Sequence, residues 1–318
     1  MVPKYNSSHS PLIDLESTIT SMATLSTPFR SFSTANFLSR GSAGQVFVIS
    51  RNVVFKCPTV FNNPAPQQAD EMKESRERME NEMAVYEVLM KHRHPNIVHG
   101  ILCVPQGLFM QRLQMTLESR IAEQSMSAIS PDTQEKWIQQ LTSGLAWLEN
   151  LGFIHGDLRP ANILLDAMEN IKIGDFDATV KRGEQLIVAS EPFCKLDAEG
   201  EPSTAGPVSE QFSLGSCIYN IRFGHVPLHE LDPPTRVQRL RANEFPSTSG
   251  DTLFGDLTRG CWHGTYNSIG EIEQDVYSRI HGHHNLQLLK NGSSGSMDDV
   301  QSNMLLAECK DFLASEEK

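Results

Sequence analysis

The stretch His155-Gly-Asp-Leu-Arg-Pro-Ala-Asn162 runs into the apolar segment Ile163-Leu-Leu165, and Ile171-Lys-Ile-Gly-Asp-Phe-Asp177 follows a few residues later. An Asp five residues ahead of an Asn, with a second Asp beyond a short hairpin, suits phosphoryl transfer. One carboxylate orients an attacking hydroxyl or takes its proton. The second Asp and the Asn hold the magnesium ions that neutralise the phosphates. Both pieces in this order carry far more information than either alone.

Working outward, the chain changes character midway. From about 36 to 113, short apolar runs dominate: Val46-Phe-Val-Ile49, Val53-Val-Phe55, Ile97-Val98 and Leu108-Phe-Met110. A charged segment over 70–91 interrupts them and reads as a helix. From about 131 helices take over. Ser130-Pro-Asp-Thr-Gln-Glu135 predicts a helix start with Asp132 as cap and Glu135 as its return partner, and Trp137, Ile138, Leu141, Leu145 and Leu148 mark the buried face. Residues 1–33 are rich in Ser and Thr and read as a flexible tail, while Asn291-Gly-Ser-Ser-Gly-Ser296 has linker chemistry. Beyond it Val300, Met304, Leu305, Cys309, Phe312 and Leu313 recur at helical spacing and predict one amphipathic helix that docks on the domain.

Bulk properties exclude some partners. The 318 residues carry 27 Lys and Arg against 39 Asp and Glu, a net charge of −12. Nucleic acid and anionic membrane both demand clustered positive charge, so neither is expected as a partner. The six cysteines are scattered without metal-ligand spacing and read as reduced thiols. With no secretory start and no apolar run long enough to span a bilayer, a cytoplasmic or nuclear location is expected.

The paired motifs resemble the catalytic loop and the Asp-Phe-Gly motif of the protein kinase superfamily, in the manner of divergent fungal orphan kinases. Upstream, Ser39-Arg-Gly-Ser-Ala-Gly-Gln-Val46 resembles the glycine-rich loop, and Val53-Val-Phe-Lys56 the strand that ends in the phosphate-anchoring Lys. Downstream, Ser209-Glu-Gln-Phe-Ser-Leu-Gly-Ser-Cys-Ile-Tyr219 and Cys261-Trp262 resemble large-lobe helices of the family.

The resemblance implies an α+β, two-lobed fold. A small antiparallel-sheet N-lobe with one helix (about 34–113) precedes a larger, mainly helical C-lobe (about 114–283), and residues 284–318 form the linker and short helix. It implies ATP and Mg2+ as cofactors, with a protein as substrate and the chain acting as a monomer. By position, Asp157 is the base, Arg159 stands where a Lys commonly meets the γ-phosphate, and Asn162 and Asp175 bind metal. Gly41, Ser42 and Gly44 form the phosphate-facing loop and Val46 covers the adenine. Lys56 anchors phosphates and pairs with a carboxylate on the following helix, Glu82 being preferred to Glu80 and Glu87. Tyr86 is assigned to core packing. Met110 guards the adenine pocket, with Gln111 to Leu113 as hinge. The implied activity is transfer of the γ-phosphate of Mg-ATP to a protein hydroxyl, Ser/Thr ahead of Tyr.

Several positions depart from the family pattern. Gly156 replaces the Arg that reads an activation-segment phosphate, so activity is expected to need no phosphate on Thr179, Ser190, Ser203 or Thr204. Asp177 replaces the Gly of Asp-Phe-Gly, and Glu210 replaces the Asp that braces the catalytic loop. The Ala-Pro-Glu anchor is absent, as is its Arg partner near His263-Gly-Thr-Tyr-Asn267, which puts the protein-substrate platform in question. Two alternatives follow: a pseudokinase that binds nucleotide without turnover, and a small-molecule phosphotransferase of the aminoglycoside- or choline-kinase kind. His281, His283 and His284 read as surface residues at a helix end rather than a metal cluster.

Overall fold

The computed structural model describes residues 24–41, 43–123, 129–197, 199–283 and 299–317. Ser42, His284, the Asn291–Ser296 linker and the first 23 residues of the expected tail lie outside them. In chain order the elements are strands Thr24–Ser26 (β1), Phe37–Arg40 (β2), Gln45–Val48 (β3), Val53–Cys57 (β4) and Val60–Asn62 (β5), then helix Pro66–Leu89 (α1). Strands Gly100–Val104 (β6), Gly107–Gln111 (β7) and Met115–Thr116 (β8) lead to helices Leu117–Glu123 (α2) and Pro131–Asn150 (α3). Short strands Phe153–Ile154 (β9), Ile163–Leu165 (β10), Ile171–Ile173 (β11) and Val180–Lys181 (β12) come next. Helices Pro207–Phe223 (α4), Pro233–Arg241 (α5), Gly255–His263 (α6), Ile269–His283 (α7) and Asp299–Glu316 (α8) complete the chain.

The N-lobe is the expected five-stranded antiparallel sheet, in the order β2-β3-β4-β7-β6, with α1 against it. Alternation along strands divides its residues between two faces. Phe47, Phe55 and Phe109 pair across β3, β4 and β7 on one face. Val46, Lys56 and Leu108 pair on the other, beside the rung of Val48, Val54 and Met110. This register turns Lys56 toward α1 and gives the opposite face to three aromatic rings.

That aromatic face is covered from both ends of the chain, which corrects two readings. Residues 24–33 are not tail: β1 pairs with β5, and Phe29 and Phe32 are buried against Phe47 and Phe55. The Ser and Thr content masked two aromatic anchors three residues apart. From the other terminus α8 docks on the same patch through Leu305, Cys309, Phe312 and Leu313. Val300 and Met304, expected on this face, point to solvent. The stripe that packs is the i, i+4, i+7, i+8 set starting at 305. Phe312 meets Phe29 edge to face at 5.2 Å, and the Glu316 carboxylate accepts from the Arg30 backbone N–H at 2.8 Å.

In the C-lobe α3 starts two residues earlier than the capping box implied. Ser130 is the cap, its hydroxyl accepting from the Thr133 N–H at 3.2 Å, because Pro131 takes the first helical position and puts Asp132 inside the first turn. Trp137, Ile138, Leu141, Leu145 and Leu148 are buried as expected. They centre one continuous core that runs from Leu89 and Ile97 through Phe176 to Ile218 and Ile272. α4 is buried nearly throughout and packs on α6, while α3 packs on α7. Among the described residues, no helix is long and apolar enough to cross a membrane.

Candidate functional site

Two local structures build the site. The first is the β10–β11 hairpin, whose register sets Ile163 opposite Ile173. A single 3-10 turn over Pro160–Asn162 enters β10, and Asp175 leaves β11 two residues after its end. Pairing therefore brings Asn162 and Asp175 to the same end of the hairpin, where the Gly174 N–H donates to the Asn162 carbonyl at 3.0 Å. The Asn162 amide nitrogen reaches back to the Asp157 carbonyl at 2.8 Å and to its carboxylate at 3.0 Å. Asp157 and Asn162 are thus locked to one another across the turn. Arg159 Nε stands 3.3 Å from the Asp157 carboxylate.

The second is the sheet face that carries Lys56. Its ammonium sits 2.6 Å from Glu82 of α1 and 2.5 Å from Asp175, so one cation bridges both lobes. Of the three acids weighed on α1, Glu82 is fully buried, while Glu80 and Glu87 are exposed. Burial drives the Glu82 carboxyl up to about 7, partly offset by Lys56 and reinforced by the charge of Asp175. Burial likewise opposes ionisation of Asp175, but Lys56 outweighs it and holds that carboxyl below its ordinary value. Burial opposes the charge on Lys56 too; Asp175 and Glu82 together overcome it and raise its pKa. The bridge is a charge-assisted triad, closed on the Lys56 and Glu82 side and partly open at Asp175. Asp175 adopts a left-handed backbone conformation, φ 63°, a strained state that packing around Phe176 maintains.

An aromatic relay ties this bridge to the catalytic loop. Tyr86, one turn after Glu82, meets Phe176 edge to face at 5.3 Å, and Phe176 lies 5.4 Å from the His155 ring. Tyr86 is fully buried, in keeping with its reading as core. The His155 Nε2 is 3.0 Å from the Gly174 carbonyl, and burial holds its pKa down.

The other expected positions fall as follows. Val46 and Met110 share the sheet face of Lys56, and Leu113 follows directly on the strand bearing Met110. Gly41 N–H closes the β2–β3 turn onto the Gly44 carbonyl at 2.9 Å. Gly44 passes so close to β4 that a Cβ would overlap the Cys57 carbonyl oxygen. Ser42 is outside the described residues.

The departures acquire physical reasons. Gly156 has φ 79°, and a Cβ there would overlap the Ala178 carbonyl oxygen, so this path of the chain excludes the usual Arg. Asp177, almost wholly buried, receives Arg78 of α1 at 3.3 Å. The Asn81 amide donates to the carbonyls of Asp177 and Thr179, both at 2.9 Å. Glu210 is buried facing the backbone N–H groups of Gly156 and His155, and burial raises its carboxyl to about 8.

An anchor for the segment after Asp177 exists that sequence reading missed. Glu191 pairs with Arg236 of α5 at 2.9 Å. Ser213 and Ser216 of α4 donate to the carbonyls of Phe193 at 2.6 Å and Pro192 at 3.1 Å, and Trp262 Nε1 donates in turn to Ser216 at 3.0 Å. The only sequence signal was the polar Ser213 and Ser216 inside an otherwise buried helix.

The sequence model of the protein kinase domain matches residues 32–247, well over half of the chain. Among curated proteins, the chain is similar to the CBL-interacting serine/threonine-protein kinase 24 of Arabidopsis thaliana, 28% identical over 179 residues, which cover 53% of this chain and 39% of that protein. It is similar to the mitogen-activated protein kinase kinase kinase 1 of the same plant, 26% identical over 235 residues, covering 70% of this chain and 37% of the relative. The testis-specific serine/threonine-protein kinase 2 of Mus musculus is 28% identical over 165 residues, covering 48% of this chain and 44% of the relative. The chain thus spans less than half the length of these relatives. With a two-lobed architecture and a family match over both lobes, this chain belongs to the protein kinase domain family.

Proposed function

We propose that this chain is an active protein kinase that moves the γ-phosphate of Mg-ATP to a protein hydroxyl, Ser or Thr ahead of Tyr. The observation that carries the reading is the Lys56 bridge between Glu82 and Asp175, set beside the Asp157–Asn162 lock. A cation held by two carboxylates across the lobes is costly to bury and offers less stability than apolar residues would. Its retention favours chemistry.

The donor set fits magnesium. Asn162 spends its amide nitrogen on Asp157, leaving the amide oxygen, and Asp175 has one oxygen beyond the one facing Lys56. Hard oxygen ligands are what this ion takes. When bound, Mg-ATP supplies the phosphoryl group and the charge neutralisation its transfer needs. The chain's residues do the rest. Lys56, held by Glu82, positions phosphate oxygens, and the small residues Gly41 and Gly44 let the loop backbone approach them. Val46, Met110 and Leu113 enclose the base. Asp157, whose Oδ1 is buried with no hydrogen-bond partner, accepts or orients the acceptor hydroxyl, and Arg159 offsets negative charge beside it.

A peptide library, aminoglycosides and choline offered separately as acceptors test this reading. Magnesium-dependent phosphorylation of Ser- or Thr-containing peptides alone is expected. Transfer to an aminoglycoside or choline instead supports the small-molecule reading, and nucleotide binding without any transfer supports the pseudokinase.

A further inference from the structure

A cavity of about 650 Å³ opens between the lobes and shares no lining residue with the cluster of Lys56, Glu82, Asp157, Asn162 and Asp175. The β3–β4 turn, the loop after α1, the hinge after β7 and the β10–β11 turn enclose it, so four separate elements converge there. Each brings charge. Arg51, Arg93, Arg112 and Lys172 line the cavity, against a single carboxylate, Asp166.

Asp166 is already committed. Its Oδ1 accepts from the N–H groups of Met168 and Asn170, both at 2.9 Å, its Oδ2 accepts from the Asn170 side chain at 3.0 Å, and Lys172 is 3.9 Å away. Lys172 is committed as well, its ammonium donating to the Pro95 carbonyl at 2.6 Å, whereas the arginines are less engaged. Among the described residues Arg51 and Arg112 make no ion pair, and the Arg112 guanidinium donates to the Ser50 carbonyl at 3.3 Å. Arg93 donates to Ser302 of α8 at 2.8 Å, and its acidic neighbour Asp299, 3.9 Å away, is fully exposed and screened. Burial first, then Lys172 and for His99 also Arg93, bring His94 and His99 down to about 4. In a chain of net charge −12, this concentration of positive charge is a local exception.

We infer that this cavity is a docking site for an acidic peptide segment rich in carboxylates. Three guanidiniums from different elements give forked donors suited to carboxylate or phosphate. The volume falls in the range of ligand pockets and exceeds what one small anion fills. Leu89 and Ile97 add apolar surface for a flanking side chain. Arginine clusters are a recurrent means of reading acidic and phosphorylated motifs. A segment held here is tethered to the protein away from Asp157. On the kinase reading, substrates carrying it show a lower KM through raised local concentration. The binding itself does not depend on that reading.

The test uses the full chain with three fluorescent peptides of equal length: one Glu/Asp-rich around a central Leu, its phosphoserine counterpart with fewer carboxylates, and a Lys-rich control. Anisotropy is expected to report binding of the Glu/Asp-rich peptide and none of the control, with affinity falling as salt rises. The two acidic arms decide whether carboxylate or phosphate is the preferred group. Arg51→Ala/Arg93→Ala, both exposed positions, weakens binding 10-fold or more, and Ser302→Ala, which removes only the Arg93 contact with α8, does not. Arg51→Glu alone weakens it in the same direction. Saturating Mg-ATP leaves binding in place. Equal binding by native and double-variant chains overturns the site. So does equal binding of a DNA oligonucleotide of matched charge, which marks non-specific polyanion attraction. Loss of acceptor phosphorylation with binding intact counts against the kinase reading alone.

Discussion

Arg78 of α1 reaches the buried carboxylate of Asp177 at 3.3 Å, one helical turn before the Glu82 that pairs with Lys56. The residue that breaks the Asp-Phe-Gly pattern is therefore the partner of the helix that completes the site. Arg78, Asn81 and Glu82 all hold the same segment, since the Phe176 N–H donates to Glu82 at 3.3 Å. Arg78→Ala strands a buried carboxylate and is expected to cost about 1–3 kcal/mol. Arg78→Ala/Asp177→Gly should recover most of it, with a coupling of about 1–2 kcal/mol in a double-mutant cycle. Urea unfolding of the four proteins reads this directly; additive losses contradict the clamp.

With α1 held to this segment through Arg78 and Asn81, the Lys56–Glu82 pair is expected to form without a phosphate on the segment. Thr179 is almost wholly buried and donates to the His155 carbonyl at 3.2 Å, which leaves it inaccessible as folded. Transfer activity is expected to survive phosphatase treatment and the change Ser190→Ala/Ser203→Ala/Thr204→Ala within about twofold, a difference of roughly 0.4 kcal/mol in barrier. A loss greater than 10-fold on dephosphorylation contradicts this.

The aromatic cap joins both ends of the chain to the N-lobe. Leu305→Ala is expected to cost about 2–3 kcal/mol, because Leu305 is buried against the Phe47–Phe55–Phe109 ladder. Val300→Ala, on the exposed side of the same helix, should fall within about 0.5 kcal/mol of the native chain. Equal effects of the two changes would mean that α8 does not brace the sheet.

The buried Glu210 fixes a pH dependence. Its carboxyl rises from an ordinary 4.5 to about 8, so the folded chain keeps a proton that the unfolded chain releases between those values. Its stabilising contribution is complete below about 4.5 and is lost as pH rises through 8, at up to about 1.4 kcal/mol per pH unit. Glu210→Gln keeps an oxygen for the backbone N–H groups and removes the proton. Its stability should fall less steeply than the native chain's between pH 6 and 8.5, while Glu82 keeps some slope in both. Parallel slopes contradict the assignment.

Much of this was legible because short-range chemistry carried it. The hairpin between Asn162 and Asp175, the alternation that sets Lys56 opposite Phe55, and the buried stripe from Trp137 to Leu148 follow from period and spacing. What escaped depends on contacts far apart in sequence. Nothing local marks Phe29 and Phe32 as partners of Phe312, nor Glu191 as partner of Arg236. Gly156 and Asp177 looked like losses until Ala178 and Arg78 were seen beside them. The Asp132 cap failed for a local reason, since Pro131 claims the first helical position.

The central claim is turnover at Asp157. Purified native chain and Asp157→Asn, matched for fold by their melting curves, are incubated with Mg-ATP labelled on the γ-phosphate and a mixed set of Ser, Thr and Tyr peptides. The account predicts label on peptides with the native chain and a loss of about 10²–10⁴-fold with the variant. No label with either protein, or equal label with both, contradicts it.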